Sequence, residues 1–130
     1  DQEARESFLR ARLLEPSAAR VPFGQGLAWI AIDREETAEL WQEALQRARG
    51  REAVLGALFG QMLQQSLSYP RLRRFCVDSS AGDEELGEVL VESWPREVLA
   101  EEQEVLREEF ARVGNSRALR KLEEKLSSGS

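Results

Sequence analysis

The sequence contains no histidine, and that absence excludes more chemistry than any residue present supports. The usual general base near neutral pH, the commonest metal ligand and the Ser–His–Asp arrangement all go with it. Cys76 is the only cysteine, so no disulfide can form within the chain and no thiolate cluster can hold a metal. With no evident activating neighbour, its thiol is expected to be buried and inert beside Phe75. A long uncharged apolar run is also missing, which excludes a membrane-spanning helix. The least polar stretch, residues 54–67, carries glycines and glutamines and is expected to be a buried helix instead. No secretory signal pattern is visible. The chain opens at Asp1, at the edge of a helical pattern, and is expected to be a piece of a larger protein.

What is present is an ordinary globular mixture, 42% hydrophobic and 32% charged, in 130 residues, the size of one domain. The net charge of -6 is unevenly placed. Residues 1–79 hold 11 basic and 11 acidic side chains, whereas residues 80–130 hold 7 and 13. The acidic second half disfavours nucleic acid and anionic lipid as partners. A solubilising acidic face is the plain reading of it, and a basic partner surface the alternative.

The organising element is a helix over residues 33–49. Asp33 stands at the N-cap position, Glu36 at the capping-box position, and Glu35 and Glu36 suit the positive end of the helix dipole. Ala38, Leu40, Trp41, Ala44, Leu45 and Ala48 recur at helical spacing and make an apolar stripe. Small Ala44 and Ala48 beside large Trp41 read as interhelical packing rather than a binding stripe. Glu43 and Arg47 form a favourable i,i+4 pair, and Gly50 can end the helix in the left-handed region.

Around this helix the chain reads as further helices. Residues 2–14 place Ala4, Phe8, Ala11 and Leu14 on one face until Pro16 breaks the pattern. Residues 18–32 form a second segment, starting either near Ser17 with a disturbance at Pro22 or at Pro22 itself. Phe23, Leu27, Trp29, Ile30 and Ile32 have strand propensity, but no partner strand is found, so a helix is expected. Gly24 and Gly26 are expected to permit close contact with the preceding helix. Residues 51–66 are apolar on more than one face and should be the most buried helix, with Gly56 and Gly60 at a close helix crossing. Residues 71–77 form a short helix with Leu72, Phe75 and Cys76 inward. Residues 78–82 read as a turn and the best hinge candidate. Asp83 caps a helix over 84–93, Pro95 opens one through Val113 that carries six glutamates, and Ser116 caps a last one to Leu126, with Leu119, Leu122 and Leu126 inward.

Two resemblances emerge from these patterns. Ala4, Phe8, Ala11 and Pro16 resemble the second helix of a tetratricopeptide repeat. Gly24 and Leu27 resemble first-helix positions of the next copy, and Thr37, Trp41 and Ala44 its second helix, one residue late. Arg49-Gly50 stands where the closing proline would be, and no clean copy follows, so the motif covers about residues 2–50. At a finer level, residues 13–48 resemble the soluble helical tail that follows the membrane domain in bacterial O-antigen ligase or polymerase-like proteins. The similar runs are Phe23–Gly26, Leu40–Leu45 and the later Gly60–Leu63. In that family, transfer of lipid-linked saccharides is carried by periplasmic loops of the membrane domain. None of that domain is present here, so the resemblance transfers no catalytic residue. A periplasmic or membrane-associated setting follows from it alone.

The remaining candidates for chemistry are weak. Arg71, Arg73 and Arg74 form the only tight basic cluster, without the aromatic ladder or lysines of a nucleic-acid surface. Glu97 and Glu104, or Glu101 and Glu108, offer paired carboxylates, but 24 carboxylates produce such pairs on any solvated face. A diiron-type bundle would want a glutamate and a histidine on one helix. Gly24-Gln25-Gly26 lacks the strand, further glycine and lysine of a nucleotide-binding loop.

The expected fold is all-α: a right-handed stack of antiparallel helical hairpins with C-terminal packing helices, one domain over residues 1–126 and a flexible tail over 127–130. The expected function is a non-catalytic interaction or scaffold domain with no catalytic, cofactor-binding or metal residues and no cofactor. Its partner would be a protein or peptide, including the membrane domain of its own parent, with no nucleic acid and no direct membrane insertion. The alternatives are a structural or oligomerisation tail without a groove ligand, and a carboxylate-based enzyme without metal or histidine.

Overall fold

A computed structural model describes residues 19–128. Those residues form seven helices: α1 (Arg20–Trp29), α2 (Arg34–Ala48), α3 (Glu52–Ser66), α4 (Pro70–Ala81), α5 (Glu84–Ser93), α6 (Arg96–Val113) and α7 (Ser116–Ser128). No strand occurs among the described residues, so the all-α expectation holds. The helices pack largely as adjacent antiparallel pairs, α1 on α2, α4 on α5 and α6 on α7. The helix expected over residues 2–14, with the repeat-like Ala4, Phe8, Ala11 and Pro16, lies outside the described residues. The chain divides into two compact units, one ending at Leu58 and the other beginning at Phe59.

In the first unit, α2 forms as its sequence dictates. Asp33 is extended (φ −150°, ψ 101°), and its Oδ1 accepts from the backbone N–H of Glu35 at 3.1 Å and of Glu36 at 3.3 Å. The Asp33 N–H donates to the Trp29 carbonyl at 2.8 Å, which already satisfies the donor that a capping-box Glu36 would serve. Thr37, Ala38, Trp41, Ala44, Leu45 and Ala48 are buried. The Glu43–Arg47 pair closes at 3.1 Å. Gly50 has φ +87°, the left-handed exit that glycine makes without steric cost.

The start of α1 falls between the two alternatives: Arg20 is its first residue, with Pro22 in the first turn, where a missing N–H removes no helical bond. The close approach at Gly26 is to the following helix α2. A Cβ there would lie 2.6 Å from Trp41 Cδ1, 2.7 Å from Trp41 Nε1 and 3.4 Å from the Thr37 carbonyl. The Trp41 indole occupies the space that a side chain at 26 would need. Thr37 Oγ1 donates to the Gly26 carbonyl at 2.9 Å, and the rings of Phe23 and Trp41 lie 5.8 Å apart, tilted by 32°.

The helix α3 corrects a second expectation. Only Leu58, Phe59, Met62, Leu63 and Ser66 are buried; Ala53 and Ala57 are exposed and Val54 and Leu55 half-buried. Among the described residues the glycine pair marks no close crossing, since a Cβ at Gly56 or Gly60 would meet none of them within 4 Å. A small residue permits close approach, but nothing about its spacing requires one.

In the second unit, two hairpins stack like on like: first helix α4 against first helix α6, and second helix α5 against second helix α7. The core holds Leu72, Cys76 and Val77 of α4, Leu90 and Val91 of α5, Leu99, Leu106 and Phe110 of α6, and Ala118 and Leu122 of α7. Trp94 is fully buried between α5 and α6, and its Nε1–H donates to the Leu63 carbonyl at 3.3 Å. Residues 78–81, expected as a turn and hinge, are the last turn of α4, and the link shrinks to Gly82 and Asp83. The reason is local: Ser80 is buried and turns its hydroxyl back onto the Val77 carbonyl at 2.9 Å, and Arg74 reaches Asp78 at 3.1 Å, so both polar groups are served inside the helix.

Asp83 caps α5 as expected, accepting from Glu85 N at 3.0 Å and Leu86 N at 3.2 Å. Gly114 ends α6 with φ +78°. Asn115, rather than Ser116, caps α7: its Oδ1 accepts from Ala118 N at 3.2 Å. The helix α7 continues through Ser128.

Candidate functional site

Two arginines of the basic cluster on α4 find structural partners. Arg73 donates from Nε and Nη2 to the Leu67 carbonyl at 2.9 and 2.5 Å, and from Nη1 it pairs with Glu101 at 2.8 Å and Glu102 at 3.6 Å. Arg74 pairs with Asp78 at 3.1 Å and Glu109 at 3.8 Å. Arg73 and Arg74 of α4 therefore lie against Glu101, Glu102 and Glu109 of α6, while Arg71 is exposed. Glu109 also accepts from Arg112 at 2.6 Å, and that hydrogen bond holds its carboxyl below the ordinary carboxylate range despite some desolvation.

Glu97, Glu101, Glu104 and Glu108 are all exposed along α6. Members seven residues apart are separated by two helical turns, about 10 Å along the axis, whereas carboxylates that share glycosidase-type chemistry sit roughly 5–9.5 Å apart in a desolvated cleft. Among the described residues, no group of three or more His, Cys, Asp and Glu could hold a metal ion. Cys76 is fully buried, and burial pushes its thiol up to about 12, with a hydrogen bond to Ser66 opposing. A thiol so raised carries almost no thiolate at neutral pH. The Gly24–Gly26 run lies within α1 and belongs to the α1–α2 contact rather than to a phosphate loop.

Two features stand out that the sequence reading did not single out. One is an ionic ladder between α5 and α7. Glu84, Glu88 and Glu92 recur four apart on α5, and Arg117, Lys121 and Lys125 recur four apart on α7. Arg117 pairs with Glu88 at 3.1 Å and Glu84 at 3.9 Å. Lys121 pairs with Glu88 at 3.2 Å and also with Glu92. Lys125 Nζ donates to the backbone carbonyls of Val91 (2.8 Å), Glu92 (3.0 Å) and Trp94 (2.7 Å), capping the C-terminus of α5. The pairs climb both helices in step, so α5 and α7 run parallel. The matching four-residue spacings were visible in the sequence, but the partner helix was not.

The other feature is the tip of the α1–α2 hairpin. Among the described residues, the exposed large hydrophobic side chains are Trp29 (44% exposed), Ile32 (71%) and Val113 (39%). Trp29 and Ile32 stand three residues apart on one turn, with Ile30 half-buried and Ala31 exposed between them. The turn is tightly closed. Ile32 N and Asp33 N both donate to the Trp29 carbonyl at 2.8 Å, and Arg34 Nη1 donates to the Ala31 carbonyl at 3.2 Å. Behind it, the Thr37–Gly26 bond and the Trp41 indole pin the two helices together. The result is a hydrogen-bonded turn that leaves Trp29 and Ile32 exposed, the candidate contact site among the described residues.

No helix among the described residues is long and apolar enough to cross a membrane. Searches of known protein families, of curated proteins and of solved structures each found no match to this chain.

Proposed function

We propose that this chain is a non-catalytic protein-docking module that makes its contact through the α1–α2 tip. The observation that carries the reading is the exposure of Trp29 and Ile32 together on a hydrogen-bonded turn. A tryptophan on a rigid support is the kind of residue that dominates protein interfaces, because it offers large contact area with little conformational entropy to lose. The second unit presents charged faces outward, which suits a scaffold more than a groove for an extended peptide. The like-on-like stacking of α4/α5 on α6/α7 supports reading the hairpins as divergent tetratricopeptide-type repeats.

The resemblance of residues 13–48 to the tail of O-antigen ligase or polymerase-like proteins supplies the partner we favour: the body of a longer parent protein acting in bacterial surface polysaccharide assembly, held by an apolar knob. The test compares the wild type with a Trp29→Ser, Ile32→Ser variant in affinity capture, after both show equal helicity and melting temperature. Loss of a specific protein partner in the variant supports the reading. Undiminished capture by the variant contradicts it.

A further inference from the structure

We infer that α7 is a releasable clasp, docked on α5 by charge, hinged at Gly114, and opposed by a buried donor that its own cap leaves unsatisfied. Its apolar attachment is narrow: only Ala118 and Leu122 are buried, with Leu119 and Leu126 half-buried. Most of the remaining attachment is ionic or charge-assisted. Arg117 and Lys121 share Glu88, whose side chain is only 12% exposed, and Lys125 holds the α5 terminus. On the α6 side, Arg107 pairs with Glu123 at 2.7 Å and Arg96 donates to the Leu126 carbonyl at 3.1 Å. Attachment of this kind weakens with ionic strength, because the screening length falls from about 10 Å at 0.1 M salt to about 3 Å at 1 M.

A second, independent observation favours opening. Asn115 is 2% exposed, its Oδ1 is committed to the Ala118 N–H, and its Nδ2 is buried with no hydrogen-bond partner. That amide is wedged against Gly87, where a Cβ would lie 2.5 Å from Nδ2, 3.1 Å from Ala118 Cβ and 3.3 Å from Phe110 Cε1. A buried donor without an acceptor is costly, and swinging α7 away returns it to water. Gly114, in the left-handed region at the junction, is where the backbone can turn. Opening also removes the Lys125 cap, so the last turn of α5 loosens with α7. The seat left behind is apolar and rimmed by the Glu84, Glu88 and Glu92 row. Its chemistry fits an amphipathic helix with basic residues four apart, of which α7 is the resident example.

The test is native-state hydrogen exchange on the whole chain at about 0.1 M and about 1 M salt. The expected result is that amides of α7 exchange faster than those of α6 at both salts. Their rates should rise at least about threefold at high salt, in keeping with the loss of several modest ion pairs, while α6 is unchanged. Glu88→Gln should give a similar acceleration at low salt and blunt the salt response, whereas Glu124→Gln, on the exposed side of α7, should change neither. Exchange of α7 and α6 at one common, salt-independent rate overturns the inference. So does a salt response that Glu88→Gln leaves intact. If Glu88→Gln does not fold, the wild-type salt series decides alone.

Discussion

The α1–α2 contact and the α5–α7 contact both depend on a glycine, yet they are built from opposite materials. At Gly26 the backbone of α1 lies against the Trp41 indole, beside a buried hydroxyl–carbonyl bond and the Phe23 ring. At Gly87 the backbone of α5 lies against the Asn115 amide, beside a ladder of carboxylates and ammonium groups. The first is a dry lock in which the close approach fills space with aromatic carbon. The second is a polar seam in which the close approach sets a side-chain amide against the backbone. One supports a rigid exposed tip; the other holds a helix that can leave.

The sharpest way to break the first contact is Trp41→Ala. Removing a fully buried tryptophan should destabilise by about 3–5 kcal/mol, read as a lowered denaturant midpoint, with the α1–α2 tip losing its support. A loss below about 1 kcal/mol would show that the indole is not the filler of this contact. Gly26→Ala places a methyl group inside the Trp41 ring edge and should cost about 1–3 kcal/mol through overpacking. Gly56→Ala, by contrast, meets open space within a helix and should stabilise by about 0.5–1 kcal/mol. Equal effects at the two glycines would remove the distinction between close approach and mere small size.

Cys76 sharpens the account of the second unit. Its thiol is raised in the folded state to about 12 from an ordinary value of 9.0, so the unfolded chain releases the proton first as pH rises. The contribution is fully present below pH 9 and is lost as pH climbs from 9 toward 12, by up to about 1.4 kcal/mol per pH unit. Denaturation curves of wild type and Cys76→Ala should therefore differ in slope against pH above 9 and run parallel below it. Parallel curves throughout would show that the thiol is not desolvated.

The local features of this fold were legible in the sequence, and the contacts between helices were much less so. Asp33 and Asp83 cap where their position before an apolar-periodic run demanded. Gly50 and Gly114 take the left-handed exits, and the Trp41 stripe is buried. These depend on the chain within one or two turns of itself. Residues 78–82 misled because serines and an aspartate look like a turn until the Val77 carbonyl, three residues back, accepts from the Ser80 hydroxyl and Arg74, four residues back, donates to Asp78. Gly56 and Gly60 misled because spacing alone cannot say whether a partner backbone is near, while Gly87 went unremarked for the same reason. The Glu84-Glu88-Glu92 row needed the Arg117-Lys121-Lys125 row beside it before either meant anything. At the candidate site, Trp29, Ile30 and Ile32 were visible as apolar residues with strand propensity, together with Phe23 and Leu27. The exposure of Trp29 and Ile32 was not, since that depends on which face of the turn α2 covers.

The most direct measurement of the central claim is site-specific photo-crosslinking from position 29 of the protein in its own cell. Position 39, on the exposed face of α2, serves as the comparison. The account predicts one defined crosslink from position 29, identified by its crosslinked peptide within the same polypeptide or in another protein, absent from position 39 and diminished by Ile32→Ser. No adduct above background from position 29, or the same adduct from both positions, would contradict it.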